Sequence, residues 1–165
     1  MAREPKYCQL QIRVSEAEKS AIRGAAERAG MDMSTYVLSR LLSVPAREFQ
    51  EAMRGLTGHT APSFVLADIN SLLTRLSATE LRDAVAAPPD IELPPFLANY
   101  VAAMVETACE KSGLALPAWT RRIVPLAEPA FGSKLRSLRL HLLTSSPAAF
   151  RRRNIFIDSS LDDRV

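Results

Sequence analysis

Three long polar side chains alternate along a short stretch near the N-terminus: Gln9, Gln11 and Arg13. The residues between and after them are apolar: Leu10, Ile12 and Val14. Because alternate side chains of a β-strand share one face, this pattern predicts a half-buried strand over residues 7–14. Glutamine can pair with adenine and arginine with guanine in the major groove. The exposed strand face therefore has the chemistry to read base edges.

A helix start follows the strand at once. Ser15 and Glu18 have the spacing of a capping box, in which each side chain accepts a hydrogen bond from the other residue's backbone. Small and apolar residues recur at helical spacing as far as Ala29, and Gly30 is the residue type that commonly follows a helix end. This predicts a first helix over residues 15–29.

A second helix begins at Asp32 or Ser34, both good N-cap residues, and extends to about Leu42. One strand and two helices, about 40 residues, bury too little apolar surface to fold alone. The strand would also have two open edges. We therefore expect a two-fold dimer, in which two strands pair antiparallel into a ribbon and four helices pack beneath it.

This order of elements resembles the ribbon-helix-helix family, the superfamily of small DNA-binding proteins that includes the Arc and methionine repressors. The resemblance covers residues 7 to about 43. Four features carry it: the alternating strand, the Ser15 cap, the helix end Ala29-Gly30-Met31 and the helix start Asp32-Met33-Ser34.

The resemblance implies which residues contact DNA. In this family the outward strand residues enter the major groove, which here means Gln9, Gln11 and Arg13. The N-terminus of the second helix binds a phosphate through backbone N–H groups, here those of Met33 and Ser34. The alternative is that the polar strand face is only solvated.

Further charges bear on the phosphate contact. Arg3, Lys6 and Arg28 can supplement it, and residues 1–6 are expected to form a flexible basic arm. The negative charge of Asp32 would cap the second helix but repel a nearby phosphate.

The whole chain is predicted to be mainly α. Its expected parts are a ribbon-helix-helix domain over 1–44, a linker over 45–62, a helical partner-binding region over 63–157 and a flexible acidic tail over 158–165. The linker prediction rests on the turn-rich residues 55–62.

A basic and aromatic cluster lies near the C-terminus: Phe150, Arg151, Arg152, Arg153, Asn154 and Phe156. It is predicted to bind a partner, either a protein or a nucleic acid. A folded helix end attached to its own domain is the alternative. Residues 146–154 also resemble a motif in antitoxins that are paired with nucleotidyltransferase-like toxins.

The composition narrows the class of protein. Net charge is +3, yet the six ionisable side chains between residues 130 and 157, His141 aside, are all basic, which points to an anionic partner. The two cysteines and two histidines have no metal-binding spacing, and no catalytic constellation or phosphate-binding glycine loop is present. We expect no enzyme activity, no cofactor, no membrane segment and a cytoplasmic location.

Together these features favour an antitoxin of a bacterial toxin–antitoxin system. It would bind double-stranded operator DNA as a homodimer through its ribbon and neutralise a cognate protein toxin through its C-terminal region. The alternatives are a plasmid or relaxosome accessory DNA-binding protein and a plain transcriptional repressor. A third hypothesis makes the ribbon only a dimerisation device beside a scaffold.

Overall fold

The computed structural model describes residues 11–41, 44–58 and 61–158. The chain divides into an N-terminal unit, residues 1–42, and a C-terminal unit, residues 43–165. Eight α-helices occur in the described residues: α1 (Glu16–Arg28), α2 (Met33–Leu41), α3 (Val44–Gly55), α4 (Pro62–Arg75), α5 (Ala78–Ala84), α6 (Pro95–Lys111), α7 (Arg139–Ser145) and α8 (Ala148–Arg152). The prediction of a mainly helical protein is confirmed. No helix among these residues is long and apolar enough to span a membrane.

The first helix begins and ends as its sequence predicts. The Ser15 hydroxyl accepts from the Glu18 N–H at 3.3 Å, and the Glu18 carboxylate accepts from the Ser15 N–H at 2.8 Å. At the other end Gly30 has a φ of 65°, the left-handed conformation that glycine adopts without strain. The Met31 N–H donates to the Ala26 carbonyl at 3.0 Å, which closes a Schellman motif.

The predicted strand over 7–14 lies only partly within the described residues. Residues 7–10 lie outside them, and residues 11–14 are exposed and have no regular secondary structure in the single chain. A ribbon requires a second strand from another copy of the chain, which a single chain does not contain. The ribbon therefore stays a prediction.

The C-terminal unit is built around one apolar core. Helices α3, α4, α5, α6 and α8 contribute to it, together with the segment around Trp119. The Trp119 indole N–H donates to the Val85 carbonyl at 2.8 Å, so the one polar atom of this buried ring is satisfied. Ser77 and Glu80 form a second capping box at the start of α5, as their spacing predicts.

The predicted linker over 45–62 differs from what is observed. Residues 44–55 form α3, and its Phe49 and Met53 are fully buried in the core of the C-terminal unit. Turn residues 56–58 follow, residues 59–60 lie outside the described part, and α4 begins at Pro62. The sequence predicts a short helix over 47–54 within this segment, but the burial of Phe49 and Met53 depends on α4 and α5, which lie farther along the chain.

The last third of the unit is less regular than its sequence predicts. A single helix is expected over 133–144, but a 3-10 turn, Arg136–Leu138, precedes the shorter α7. Two short strands, β1 (Ala130–Phe131) and β2 (Ile155–Phe156), pair in parallel. The tail prediction falls on residues 158–165, of which 159–165 lie outside the described residues.

Candidate nucleic-acid interface

The side chains predicted to read bases lie at the start of the N-terminal unit. Gln11 and Arg13 are exposed, as a reading face requires. Gln9 lies outside the described residues, and so do the predicted phosphate contacts Arg3 and Lys6. The structure thus leaves two of the three base-contacting candidates accessible to a ligand.

The apolar side of the same stretch is uncovered in the single chain. Ile12 is 57% exposed and Val14 is 44% exposed, and Met31 and Met33 are exposed to a similar or smaller extent, at 44% and 38%. Among the residues of this unit whose burial is described, only Ala26 is buried. So small a unit rarely leaves such apolar surface in water. The predicted dimer would bury this surface against a second copy.

The start of α2 shows how the predicted phosphate site is built. The Asp32 carboxylate accepts from the Thr35 N–H at 2.9 Å and from the Thr35 hydroxyl at 2.5 Å, so Asp32 rather than Ser34 caps the helix. Met33 and Ser34 are exposed and contribute the first two amides of α2. Amides at a helix start attract an anion, while the adjacent carboxylate opposes one.

Arg28 lies in the last turn of α1, where its positive charge interacts favourably with the helix dipole. It is exposed, so it remains available to an anionic ligand. Its predicted supplementary role is compatible with that position.

The C-terminal basic cluster has a different environment from the one expected for a docking site. Phe150 is buried in the core and packs edge-on against Tyr100, with ring centroids 5.1 Å apart. Phe156 is half-buried and stacks on Phe131 at 5.2 Å. The two aromatic residues therefore serve the packing of their own unit.

Arg153 is the most deeply engaged of the three arginines. Its guanidinium is 5% exposed and donates to Glu106 Oε1 at 2.6 Å, to the Thr120 carbonyl at 2.8 Å and to Asn99 Oδ1 at 3.1 Å. Asn99 in turn donates to the Val124 carbonyl at 3.0 Å. This network joins α6, the segment after Trp119 and the end of α8.

Arg152 is half exposed and pairs with Glu110 at 2.5 Å and with Glu106 at 3.6 Å. The hydrogen bond to Glu110 is the main reason that the pKa of Arg152 is raised. Arg151, by contrast, is exposed and forms no ion pair within the described part of the chain.

The backbone conformation at position 154 explains why an asparagine follows the three arginines. It has a φ of 60°, which asparagine tolerates better than most residues, and it ends α8. Its side-chain amide donates to the Leu126 carbonyl at 3.0 Å. These contacts agree with the second interpretation of the cluster, in which it is a helix end that packs on its own domain.

The partners of these arginines were missed from sequence. Glu106 and Glu110 lie on α6, more than forty positions earlier in the chain. A signal existed, since Glu106 interrupts the apolar run from Val101 to Cys109 and a carboxylate there needs a cation. Cys109 is buried on the same helix, and that burial raises the pKa of its thiol.

The N-terminal part has the features of a ribbon-helix-helix DNA-binding protein, and a comparison with protein families supports this class. Residues 4–61 match the NikA-like family, described as mobilization protein NikA. This match supports DNA binding and dimerisation at the N-terminus, and it reaches into α3. It does not bear on the antitoxin resemblance or on residues 62–165. No curated protein and no solved structure matches the chain.

Proposed function

We propose that the protein is a DNA-binding accessory component of a plasmid mobilization complex, a relaxosome. The similarity of residues 4–61 to mobilization protein NikA carries this proposal. It favours the relaxosome alternative over the antitoxin hypothesis, whose motif residues Phe150 and Arg153 are buried in the chain's own core. A plain repressor shares the DNA-binding half but gives no role to the large C-terminal unit.

The proposed interaction uses two copies of the N-terminal unit. Ile12 and Val14 become buried as the two strands pair, and Gln11 and Arg13 of both copies form one polar face in the major groove. The amides of Met33 and Ser34 position the dimer on the DNA backbone without reading sequence. By their places in the sequence, Gln9 adds to the polar face, and Arg3 and Lys6 add phosphate contacts.

DNA binding by the full-length protein tests the first half of the proposal. The probe is the DNA around the transfer origin of the element that encodes the protein, compared with unrelated DNA of equal length. Arg13→Ala is expected to lose about 1–3 kcal/mol of discrimination, roughly 5- to 150-fold, at the base that it reads. Lys6→Ala should weaken binding evenly across sequences. Arg82→Ala is the matched control, because this exposed arginine lies in the other unit and outside the C-terminal basic cluster.

A mobilization assay tests the second half. Deletion of the gene should lower conjugative transfer of its element, and Arg13→Ala should lower transfer in proportion to the lost DNA affinity. If Arg13→Ala abolishes specific binding without changing transfer, the protein is a DNA-binding regulator and not a relaxosome component. If DNA binding itself is unchanged by Arg13→Ala and Gln11→Ala, the ribbon serves dimerisation alone.

A further inference from the structure

An unpaired basic and apolar surface lies on the C-terminal unit. The 3-10 turn Arg136–Leu138 runs directly into α7, so positions three and four apart share a face. Arg136, Arg139, Leu140 and Leu143 follow this spacing and form what we call the outer face of α7. All four are exposed, with Leu140 at 74% and Leu143 at 42%.

The opposite side of α7 already has its contacts. Leu142 is 3% exposed and anchors the helix on its own unit. Leu138 and Leu142 also border an apolar cleft of about 340 Å³, together with Phe96 and Phe131. The Arg139 guanidinium lies over the Phe131 ring, 4.9 Å from its centroid, at the boundary between cleft and outer face. The outer face is thus held in place by packing behind it.

The charges on this face form no ion pairs among the described residues. Arg136 and Arg139, like the neighbouring Lys134, form no ion pair there, whereas Arg152 and Arg153 are both paired with Glu106. Every charged side chain between residues 130 and 157, His141 aside, is basic. A ligand for the outer face must therefore bring both negative charge and apolar surface.

We propose that the outer face of α7 binds an acidic amphipathic helix of a partner protein. The apolar side of such a helix covers Leu140 and Leu143, and its carboxylates pair with Arg136 and Arg139 at the rim. The inference rests on the proposed function, because it identifies where the C-terminal unit recruits a protein component of the complex.

Charge and size argue against other occupants. Two copies of the outer face meeting about a two-fold axis would oppose arginine to arginine. DNA would leave two large leucines against a polar, charged surface, whereas protein–DNA interfaces are predominantly polar. The segment from Arg136 to Leu143 is also much shorter than the helices that lie on membranes.

Peptide binding to the full-length protein tests the proposal. The probe is a synthetic amphipathic helix of about five turns with leucines on one face and glutamates beside them, labelled for fluorescence anisotropy. Its twin carries lysine in place of every glutamate. The acidic peptide should bind and the basic twin should not, and added salt should weaken the binding of the acidic peptide.

Two double variants separate the apolar and the ionic contributions. Leu140→Ser with Leu143→Ser should lower peptide affinity about tenfold or more, since these side chains form the centre of the contact. Arg136→Gln with Arg139→Gln should lower affinity about threefold to tenfold and flatten the salt dependence. Phe64→Ser on α4 and Arg82→Gln on α5 are matched exposed controls and should change neither.

The outcomes distinguish this inference from the proposed function. Arg13→Ala should lose DNA discrimination and keep peptide binding, so either activity can fail alone. Equal binding of both peptides, or unchanged binding by the leucine variant, overturns the proposal. The proposal is also overturned if the protein does not bind the peptide and the arginine variant has a lower DNA affinity, because the face is then a DNA contact. A smaller oligomer of the leucine variant in sedimentation equilibrium makes the occupant a second copy, which also overturns it.

Discussion

The N-terminal and C-terminal units place their apolar residues in opposite ways. In the N-terminal unit Ile12 and Val14 are exposed, and Ala26 is the one buried residue among those whose burial is described. In the C-terminal unit helices from residue 44 onward enclose a core that contains Phe49, Phe150 and other large side chains. The C-terminal unit buries its large apolar side chains within one chain, whereas the N-terminal unit leaves apolar side chains exposed that the predicted dimer would bury.

The arginines of the two units also differ in their surroundings. Arg13 is exposed beside Gln11, and Arg153 is enclosed by Glu106, Asn99 and the Thr120 carbonyl. Both have other polar residues nearby in the sequence, Gln11 in one case and Asn154 in the other. A local cluster of polar residues therefore does not tell whether an arginine serves a ligand or its own fold, because the deciding partner can lie far along the chain.

The largest expected effect on stability is that of removing Arg153. Arg153→Met leaves Glu106, which is 4% exposed, with only the partial contact to Arg152. Breaking a buried pair in this way costs about 3–5 kcal/mol. Urea denaturation of the C-terminal unit should show this as a lower midpoint, while specific DNA binding at a temperature where the variant is folded should be retained.

Arg151→Met is the matched control for this change. Arg151 is exposed on the same short helix, so its loss should stay within about 0.5 kcal/mol. Adding Glu106→Gln to Arg153→Met should recover part of the loss, because no buried charge then remains unpaired. Equal midpoints for the two arginine variants would show that the network contributes little.

A charge on the apolar face of the predicted strand tests whether the N-terminal unit depends on dimer formation. Ile12→Asp places a carboxylate where two strands are expected to meet, and burying it without a partner is costly. Dimer formation and DNA affinity should fall together, the latter about a hundredfold or more. Sedimentation equilibrium and DNA titration measure the two effects.

Val124→Asp is the matched control, since Val124 is 80% exposed in the C-terminal unit. It should leave both the dimer and DNA binding unchanged. A dimer that survives Ile12→Asp would move the interface away from the strand.

Much of the fold follows from local signals in the sequence. Capping residues and the helix-ending Gly30 locate α1 and the start of α2 to within about two residues, because each acts through backbone contacts nearby in the chain. The linker prediction differs from α3 for the opposite reason. Phe49 and Met53 become informative only when α4 and α5 are placed against them.

The residues of the candidate site also differ in whether their surroundings could be predicted from nearby sequence. Exposure of Gln11 and Arg13 agrees with the predicted polar strand face, but Ile12 and Val14 are exposed as well, so the alternation itself stays a prediction. The environment of Arg153 could not be predicted from residues 150–156, because Glu106 and Asn99 are on α6. The weak regularity of Arg136–Leu138 also depends on packing, as Leu142 alone anchors that segment in the core.

The two capping boxes allow the same change to be made in each unit. Ser15→Ala and Ser77→Ala each remove a side-chain acceptor at a helix start, at a typical cost of about 1 kcal/mol. Ser77→Ala should lower the stability of the C-terminal unit at any protein concentration. Ser15→Ala should act through the dimer, so its effect should grow as the protein is diluted.

The same boxes give a pH dependence with a definite sign. Hydrogen bonds from Ser15 and Ser77 hold the pKa of Glu18 and Glu80 below its usual range. A lowered folded-state pKa contributes stability that is present above the unfolded-state pKa and is lost as pH falls through the folded-state pKa. Alanine removes the hydroxyl but keeps the backbone N–H, which is the main cause of the lowered pKa of Glu18, whereas the Ser77 hydroxyl is the main cause for Glu80. Both serine variants should therefore lose less stability on acidification than the parent protein, and the difference should be larger for Ser77→Ala. A steeper acid loss in either variant would contradict this cause.

The smallest effect, and the one that most sharply separates folding from binding in the N-terminal unit, is expected at Asp32. Asp32→Ser keeps an oxygen that can accept from the Thr35 N–H but removes the negative charge beside the Met33 and Ser34 amides. Helix stability should change by only a few tenths of a kcal/mol, since serine and aspartate cap almost equally well. DNA affinity should rise about twofold to fivefold, because a phosphate at the start of α2 no longer meets a carboxylate. Asp32→Ala is the control that loses the cap as well as the charge. If Asp32→Ser leaves DNA affinity unchanged while Arg13→Ala lowers it, the strand reads DNA without a phosphate bound at this helix start.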